Sequence, residues 1–476
     1  MLFNSLIFCV FFPSAFAVYW ALWRTGPRGQ NIFIIAASYV FYGWWDARFL
    51  ILIALSSGAD FLIGKRLHRS TIQRDRKRWL WISIMTNLGT LGLFKYFNFF
   101  VGSAIELLAC LDVEINPLTI QVLLPVGISF YTFQTLSYTI DIYRRQLEPT
   151  NDVFAFFAFV SFFPQLVAGP IERAKHLLPQ FFRGRVFDPV AAADGLRQML
   201  WGFVKKIVVA DNLAPIVEQA FSQPGAFNGL GLLLAASLFS IQLYCDFSGY
   251  SDIAIGTARL FGVRLTQNFA FPYYARSVRE LWRRWHISLS SWFRDYVYIP
   301  LGGARTSVHK AVRNIMIVFV VSGLWHGAAW TFVVWGALNG LGTMLPLLRR
   351  TKMPKNTVAE GRALPSISEF ASMFKVFMFW TLGLVFFRAS SLSAALDYLS
   401  RIVTGPFGAP QYDTFLGPVS IAVALLVAEW PSRTRRHGLD IAHWAPWARW
   451  LSYAALALVI LVFGSVESRE FVYFQF

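Results

Sequence analysis

Long apolar stretches alternate with short, basic loops from one end of the chain to the other. A helix needs roughly 20 mainly apolar residues to cross the hydrocarbon core of a bilayer. On that criterion the pattern predicts membrane segments at 2–23, 31–45, 49–63, 79–108, 118–140, 153–169, 229–262, 314–348, 370–387, 417–431 and 449–466. Two intervening stretches, 190–222 and 276–300, are amphipathic and basic. The pattern therefore favours a chain that crosses a membrane many times.

The segment 153–169 breaks the alternation of sides that the basic loops predict. Arg144 and Arg145 precede it and the basic loop 173–185 follows it, although short loops rich in Lys and Arg stay cytoplasmic. Pro164 also interrupts a helix. A re-entrant hairpin satisfies both observations, since irregular backbone at membrane depth is tolerated where protein or a watery cavity buries it. The alternative is a proline-kinked full span whose following loop disobeys the charge rule.

Composition agrees with the apolar pattern. Of 476 residues, 56% are hydrophobic and only 14% are charged, whereas a soluble chain carries about 25% charged residues. We therefore predict an all-α polytopic membrane protein with one integral domain over 1–476. The first segment, 2–23, lacks a basic start and a small-residue cleavage site, so we interpret it as a retained span and not a signal peptide.

The charge balance indicates topology, not nucleic-acid binding. The chain carries 43 Lys and Arg against 26 Asp and Glu, a net charge of +17. Because these basic residues lie in short loops, the positive-inside rule accounts for them. The three cysteines are far apart and form no CxxC motif, which predicts free thiols and argues against a disulfide framework or a zinc site. We expect no metal.

One histidine, His326, lies in the run 315–348, which contains no Asp, Glu, Lys or Arg. An ionisable side chain there is costly and needs a partner, a cavity or water, and histidine takes and returns protons near neutral pH. Gly323 and Gly327 have the spacing that lets helices approach closely. We predict a narrow reaction channel walled by Trp325, Trp330 and Trp335, with Asn339 adding a polar group to the wall. The alternatives are a transport gate and a core histidine bonded to a carbonyl.

A second histidine, His286, follows Arg283 and Arg284 beside an apolar helical stripe. The stripe consists of Trp282, Trp285, Leu289, Trp292 and Tyr296. One interpretation makes His286 catalytic and the two arginines ligands for donor phosphates. The other is an interfacial amphipathic helix whose histidine sits at headgroup level.

Two further groups allow more than one interpretation. Asp246 and Asp252 lie in a hydroxyl-rich sequence at the edge of an apolar run; they suit a polar tunnel wall, with Asp246 the main candidate, or helix capping. Lys205 and Lys206 suit the phosphates of a cytosolic donor or act only as a topology signal.

The sequence has no GxxxxGK[ST], GxSxG or HExxH motif, which argues against P-loop ATPases, serine hydrolases of that type and zincins.

Five segments together resemble the membrane-bound O-acyltransferases. They are 282–303 with its Arg-Arg-Trp-His-Ile-Ser core, Gly-Leu-Trp-His-Gly at 323–327, 244–256, Leu-Pro-Val-Gly-Ile-Ser-Phe at 124–130, and 163–173. Within the family, they look most like the branch of the bacterial alginate O-acetyltransferase membrane subunit. The resemblance implies a ring of about 11 transmembrane helices around a central funnel and tunnel in a bacterial inner membrane. It also implies that His326 and His286 occupy the catalytic positions. Acyl transfer to a hydroxyl needs a base and oxyanion donors, so we expect His326 to be the base and His286 to orient the nucleophile or stabilise the oxyanion. A direct acyl-histidine intermediate is the alternative.

The resemblance further implies a reaction. An acetyl group from a cytosolic thioester, acetyl-CoA or a carrier protein, moves towards an extracytoplasmic polysaccharide such as alginate, with no bound cofactor. A separate periplasmic SGNH-type acetyltransferase often completes the transfer in this branch. One competing hypothesis is a transporter or flippase with His326 as a proton relay. The absence of an internal repeat weakens it. The other is a structural scaffold, which predicts that substitutions at both histidines are tolerated.

Overall fold

The computed structural model describes residues 1–113, 124–167, 169–349, 354, 356–406, 408, 410, 412–465 and 469–474. Over these residues the regular structure is helical, with no β-strand, which confirms the predicted fold class. Contacts divide the chain into two compact units. Unit 1 comprises Met1–Ala192 and Thr257–Leu265, and unit 2 comprises Ala193–Gly256 and Thr266–Phe476. The single integral domain over 1–476 stays a prediction.

Within the described residues, seven helices are long and apolar enough to cross a membrane. They are Gln73–Ala109, Gly229–Leu260, Val308–His326, Trp330–Leu348, Ile367–Arg388, Asp413–Ser432 and Pro446–Phe463. Leu6–Ala21 and Trp23–Gly43 meet the same criteria as a pair bent by 49°. The multi-pass membrane prediction is thereby confirmed, while the ring around a tunnel stays a prediction.

Unit 1 is held by buried polar contacts between helices. Its helices are α1 Leu6–Ala21, α2 Gly26–Gly43, α3 Phe49–Arg69, α4 Gln73–Leu91, α5 Phe97–Ala109, α6 Ile128–Tyr143, α7 Val153–Ser161, α8 Phe163–Leu166 and α9 Ala174–Leu177. Asp60 of α3 accepts hydrogen bonds from Ser83 (2.7 Å) and Asn87 (2.8 Å) of α4. Asn87 in turn accepts one from Thr135 of α6. The start of the predicted segment 118–140 lies outside the described residues.

The predicted segment 153–169 is broken. Helix α7 ends at Ser161 after nine residues, and the short α8 follows Phe162, which has φ −49° and ψ 106°. Nine helical residues extend only about 14 Å, roughly half of the hydrocarbon core. Such a break is what the re-entrant interpretation requires, and it contradicts a continuous helical span. The side that each end faces stays a prediction. Ala168 lies outside the described residues.

Unit 2 contains the remaining helices. They are α10 Pro189–Phe203, α11 Asp211–Ser222, α12 Gly229–Leu260, α13 Val278–Arg284, α14 Ile287–Phe293, α15 Val308–His326, α16 Trp330–Leu348, α17 Ile367–Arg388, α18 Leu392–Thr404, α19 Tyr412–Glu429 and α20 Pro446–Phe463. The first residues of α10 and the last turn of α12 fall in unit 1. Side-chain caps start several of these helices, including a capping box at α17 in which Ser366 and Glu369 bond each other's backbone N–H.

A glycine contact sets α10 closely against α12. A Cβ atom on Gly202 would lie 2.7 Å from the carbonyl oxygen of Gly249, and one on Gly249 would lie 2.8 Å from that of Gly202. Between α10 and α11 the chain forms a π-helical segment, Val204–Ala210. Such segments occur often at functional sites. Here the segment places two adjacent lysines, Lys205 and Lys206, against the polar side chains of α12.

The predicted segment 314–348 is two antiparallel helices, not one span. Helix α15 ends at His326, the chain turns through 327–329, and α16 begins at Trp330. The helices touch at glycines. A Cβ atom on Gly323 would lie 2.2 Å from the carbonyl oxygen of Phe332 and 3.1 Å from the Cα atom of Gly336. The prediction that small residues permit close packing is confirmed. His326 therefore lies at a helix end, inside a hairpin.

The stretch 276–300 is not one amphipathic surface helix. It breaks between α13 and α14, and the aromatic stripe predicted from it is buried, with Trp282, Trp285, Leu289 and Trp292 each less than 10% exposed. His286 at the break is only 1% exposed. The headgroup-level interpretation of His286 is therefore wrong.

Candidate active site

His286 caps α14 with an unusual backbone. Its φ of 43° and ψ of 54° lie in the left-handed region, which is uncommon for a residue other than glycine. Such strain persists where surrounding contacts hold it and clusters at functional sites. The imidazole at this turn is buried in the protein interior.

Asn268 fixes the orientation of the His286 ring. The Oδ1 atom of Asn268 lies 3.1 Å from Nδ1 of His286 and also accepts hydrogen bonds from the backbone N–H and the hydroxyl of Ser288. Its Nδ2 donates to Ser251 of α12. Because a backbone N–H can only donate, this oxygen is the acceptor and His286 Nδ1 carries the proton. The lone pair of the imidazole is then on Nε2.

The Nε2 atom of His286 is buried and has no hydrogen-bond partner among the described residues. Desolvation by burial lowers the pKa of His286 to about 3, so the ring stays neutral near pH 7. A neutral imidazole with a free Nε2 accepts a hydrogen bond but donates none from that atom. This geometry suits the orientation of a substrate hydroxyl.

His326 lies beside His286. Their ring centroids are 6.4 Å apart, and His326 is 2% exposed. The ring of Trp325 lies 5.0 Å from His326 and 6.0 Å from His286. Trp335 of α16 contacts the other side of His326, at 5.0 Å and 89°. The sequence-predicted pair of histidines is thus brought together within one aromatic enclosure.

A short helical turn near the end of the chain also contacts the histidines. In Val472–Phe474, the ring of Tyr473 lies 5.6 Å from His326 and 4.6 Å from Phe247, a residue that itself packs edge-on against His286. Phe471 packs on Tyr250 of α12 at 4.8 Å. This segment, which the sequence analysis did not single out, closes one side of the histidine pair.

A buried ion-pair network holds that segment. The backbone N–H of Val472 donates to Asp246 Oδ2 at 2.7 Å. Asp246 Oδ1 lies 2.7 Å from Lys206 Nζ, which also donates to Asp211 at 2.8 Å. Desolvation lowers the pKa of Lys206, but the attraction of Asp246 and Asp211 outweighs it, and the net direction is upward. Lys206 therefore stays charged between two carboxylates.

A polar cavity of ≈ 290 Å³ adjoins this network. Its lining includes Lys206, Asp211, Asp246, Arg388 and Arg469. Asp246 is thus a cavity-lining residue, and its role in a tunnel wall stays a prediction. Since Asp246 and Asp252 both lie inside α12 and bond lysines, helix capping is excluded for them.

The lysines are not available for donor phosphates. Lys205 pairs with Asp252 at 2.6 Å and donates to Ser248, while Lys206 faces two carboxylates. Neither group carries a net positive charge, so a phosphate would gain no attraction there. We correct the assignment of both lysines to an internal structural role.

The arginines beside His286 differ from each other. Arg284 donates to Glu280 at 3.0 Å and to the carbonyl oxygen of Ala270 at 3.1 Å, so its charge is partly compensated. Arg283 is exposed and keeps its place as the candidate for donor phosphates. The exposed position of Arg283 is accessible to a ligand as large as a nucleotide.

Two predicted wall residues lie elsewhere. Asn339 accepts a hydrogen bond from Trp282 Nε1 at 3.3 Å and donates to the carbonyl oxygen of Trp335 at 2.8 Å, so it ties α16 to α13. Trp330 is 51% exposed at the start of α16. Their role in a tunnel wall stays a prediction. Of the predicted wall residues, Trp325 and Trp335 contact His326.

Within the described residues, no group of three or more His, Cys, Asp or Glu side chains could hold a metal ion. The residues that sequence reasoning missed are Asn268, Asp211 and the 471–473 segment. They reach the site from distant parts of the chain. Trp335 was predicted as a wall residue but not as a hydrogen-bond donor.

Comparisons with known proteins identify a family and several relatives. The family model described as "MBOAT, membrane-bound O-acyltransferase family" matches residues 144–387. "Probable alginate O-acetylase AlgI" of Pseudomonas aeruginosa is 39% identical over 396 residues, covering 83% of this chain and 73% of that protein. "Peptidoglycan O-acetyltransferase" of Helicobacter pylori is 32% identical over 432 residues, covering 85% and 80%. "Teichoic acid D-alanyltransferase" of Streptococcus thermophilus is 31% identical over 266 residues, covering 52% and 63%.

Proposed function

Since the chain belongs to the membrane-bound O-acyltransferase family, we propose that it moves an acetyl group from a cytosolic thioester towards an extracytoplasmic polysaccharide. The enzyme is an acyltransferase embedded in a membrane. The observation that carries the proposal is the pairing of His286 and His326, whose buried rings lie 6.4 Å apart. Relatives named for alginate and for peptidoglycan acetylation support a polysaccharide acceptor.

The donor in this proposal is acetyl-CoA or a carrier-protein thioester. The exposed Arg283 next to the buried histidines supports a phosphate-bearing donor that approaches from the surface, since guanidinium groups bind phosphates well. We expect no bound cofactor, because a thioester is already activated and transfer to a hydroxyl needs only a base and oxyanion stabilisation.

His326 acts as the general base. The acceptor hydroxyl oxygen attacks the thioester carbonyl carbon, and its proton passes to His326. When the tetrahedral intermediate collapses, the C–S bond breaks and the thiolate takes the proton back. His326 is the last residue of α15, and the partial negative charge at a helix C-terminus stabilises the transient imidazolium, typically by about 0.3–1 kcal/mol. A positioned base contributes roughly 10²–10⁴-fold to such reactions.

His286 orients the attacking hydroxyl. With Nδ1–H committed to Asn268, its Nε2 accepts a hydrogen bond from the nucleophile. Of the two roles open to it from sequence, orientation of the nucleophile and stabilisation of the oxyanion, the tautomer supports the first. A neutral imidazole in this tautomer has no hydrogen to offer an oxyanion from Nε2.

Trp335 supplies an oxyanion donor. Its Nε1–H is buried and has no acceptor among the described residues, and a buried polar group of this kind calls for a partner. The ring packs against His326 at 5.0 Å. A developing oxyanion beside His326 gives this donor an acceptor.

A soluble partner completes the transfer to polymer. The outward loops predicted from sequence, around 43–47 and 113–117, are short, and a polysaccharide needs an extended polar surface. We therefore propose handoff of the acetyl group to an SGNH-type acetyltransferase outside a bacterial inner membrane.

Reconstituted proteoliposomes test this function. Radiolabelled acetyl-CoA is given on the cytoplasmic-equivalent side, with alginate or another polymer and the SGNH-type protein on the other. The proposal predicts ester-linked label on polymer only when both proteins are present. Polymer acetylation without the partner would overturn the handoff. Absence of label from protein and polymer, with movement of an unmodified precursor, would instead favour the transporter hypothesis.

A further inference from the structure

An apolar groove lies between α17 and α19 in unit 2, away from the histidine pair. Its volume is ≈ 420 Å³, and its lining includes Phe370, Phe374, Phe377 and Val427. Phe374 and Val427 are 54% and 66% exposed, so the groove is open at the protein surface. Because both helices are long and apolar enough to span a membrane, this surface faces hydrocarbon.

The groove offers no free polar group to a ligand. Three lining residues have polar side-chain atoms, and each is bonded internally. Tyr273 donates to the carbonyl oxygen of Ser240, Tyr274 to that of Leu426 at 2.7 Å, and Trp430 to that of Ala363 at 2.7 Å. A sugar or nucleotide would lose its hydrogen bonds to water here without replacement. A hydrocarbon chain would lose none.

Arginines lie at one end of the groove. The guanidinium carbon of Arg433 is 4.5 Å from the ring centroid of Trp430. Arg433 donates to the carbonyl oxygens of Val358, Ala359 and Arg362. No carboxylate among the described residues lies within ion-pair distance of it. Its positive charge at the groove is therefore uncompensated.

The other cations at this end exceed the anions. Glu369 is shared by Arg362 at 2.6 Å and Arg276 at 3.2 Å. Glu280 is shared by Arg276 and Arg284. Together with Arg433, four arginines face two glutamates, which leaves an excess of positive charge. Arg362 is half exposed and presents this charge to the surrounding medium.

The position of the charge matches a bilayer interface. Arg433, Arg435 and Arg436 follow α19 within one short loop, which by the positive-inside rule is cytoplasmic. Basic pockets between membrane helices on that side bind anionic lipid headgroups. The apolar groove and the basic rim are continuous through Trp430, which lines the groove and carries Arg433 on its face.

We propose that this groove is a binding site for an anionic phospholipid. One acyl chain lies in the groove between α17 and α19, and the phosphodiester lies against Arg362 and Arg433. Two contacts join the groove to the helices that carry the histidine turn. The ring of Tyr273, which lines the groove, packs near Trp285, the neighbour of His286. The backbone N–H of Arg276 donates to Glu280 of α13. Bound lipid thus braces the turn that carries His286.

Lipid retention tests the proposal independently of acyl transfer. The full-length protein is equilibrated in nanodiscs of equal phosphatidylglycerol and phosphatidylcholine, extracted gently, and its bound lipids are counted by native mass spectrometry. We expect preferential retention of phosphatidylglycerol. Arg362→Gln should weaken that retention by about fivefold, the effect of one basic residue near an anionic lipid. Val427→Trp, which fills the groove from an exposed position, should abolish it.

The matched control is Arg436→Gln, which removes an exposed cation from the same loop and should leave retention unchanged. Equal retention of both lipids by the wild-type protein would overturn the proposal. Undiminished phosphatidylglycerol in both Arg362→Gln and Val427→Trp would do the same. A lipid-free dimer that Val427→Trp dissociates would assign the groove to a second copy of the chain, which also contradicts it.

Discussion

The side-chain oxygen of Asn268 lies 3.1 Å from Nδ1 of His286 and thereby determines which ring nitrogen faces the candidate active site. Asn268 itself is held by Ser251 and Ser288. The chemistry proposed for His286 depends on its hydrogen bond to Asn268, because only the Nδ1–H tautomer leaves Nε2 free to accept a hydrogen bond from a substrate hydroxyl.

Asn268→Ala should lower acetyl transfer by about 10- to 100-fold, the range known for partners that orient metal-ligating histidines. The expected reason is that the His286 ring loses the acceptor that fixes both its orientation and its Nδ1–H tautomer. Rates are measured with labelled acetyl-CoA in membranes that contain equal amounts of protein. Ser251→Ala is the control, since it removes a bond to Asn268 but keeps the acceptor for His286. Equal losses in the two variants would point to a general packing role for Asn268.

Trp335→Phe should lower the rate constant of transfer by about 10²–10³-fold, the loss seen when one oxyanion donor is removed. The ring contact with His326 is kept, while the Nε1–H is lost. The apparent affinity for donor should change little. Trp330→Phe is the matched control, because Trp330 is 51% exposed at the start of the same helix. A fully active Trp335→Phe enzyme would remove Trp335 from the mechanism.

Gly323→Ala should separate α15 from α16 and displace His326. A Cβ at this position would lie 2.2 Å from a backbone oxygen, a contact that only backbone movement relieves. We expect loss of transfer activity and a lower melting temperature in detergent. Gly417→Ala in α19, where a Cβ meets nothing within 4 Å, should keep both. Normal stability and activity of Gly323→Ala would show that the hairpin packs differently.

Lys206→Met should destabilise the protein strongly. It leaves Asp211 and Asp246 buried without their cation, and removal of one member of a buried ion pair costs roughly 3–5 kcal/mol. Unfolding by denaturant in detergent measures the change. Arg401→Met provides the comparison, since its partner Asp397 is exposed and surface pairs contribute about 0–1 kcal/mol. Similar small losses of unfolding free energy in both variants would mean that the buried charge of Lys206 does not stabilise the Val472 segment.

The sequence predicted the helical membrane architecture because apolar length and rare charged groups are local properties, and the same properties singled out His326. His286 was equally compatible with an interfacial helix until the family resemblance was considered. The hairpin in 314–348 was missed, although the run is well above one bilayer thickness and contains Gly327-Ala328-Ala329 at its midpoint. Length alone would have favoured two short spans over one.

The partners of the histidines were beyond sequence reasoning for a different reason. Asn268 contacts His286 although they are 18 residues apart in sequence. Tyr473, near residue 476, contacts His326. Periodicity within one helix carries no information about such contacts. The lysine–aspartate pairs lay within reach of prediction, since Lys205 and Lys206 were noted in a basic amphipathic stretch and Asp246 and Asp252 at the edge of an apolar run. Buried charges in proteins are normally paired.

The central claim is that His326 takes the proton of the acceptor hydroxyl. Its most direct test compares wild-type protein with His326→Ala and His286→Ala, with ester-linked acetate on the exported polymer measured per amount of membrane-inserted enzyme. We predict that His326→Ala loses about 10²-fold or more of the activity, as expected for removal of a general base, and that His286→Ala retains only a small part of it, with normal insertion of both variants. Near-normal acetylation by His326→Ala would contradict the mechanism.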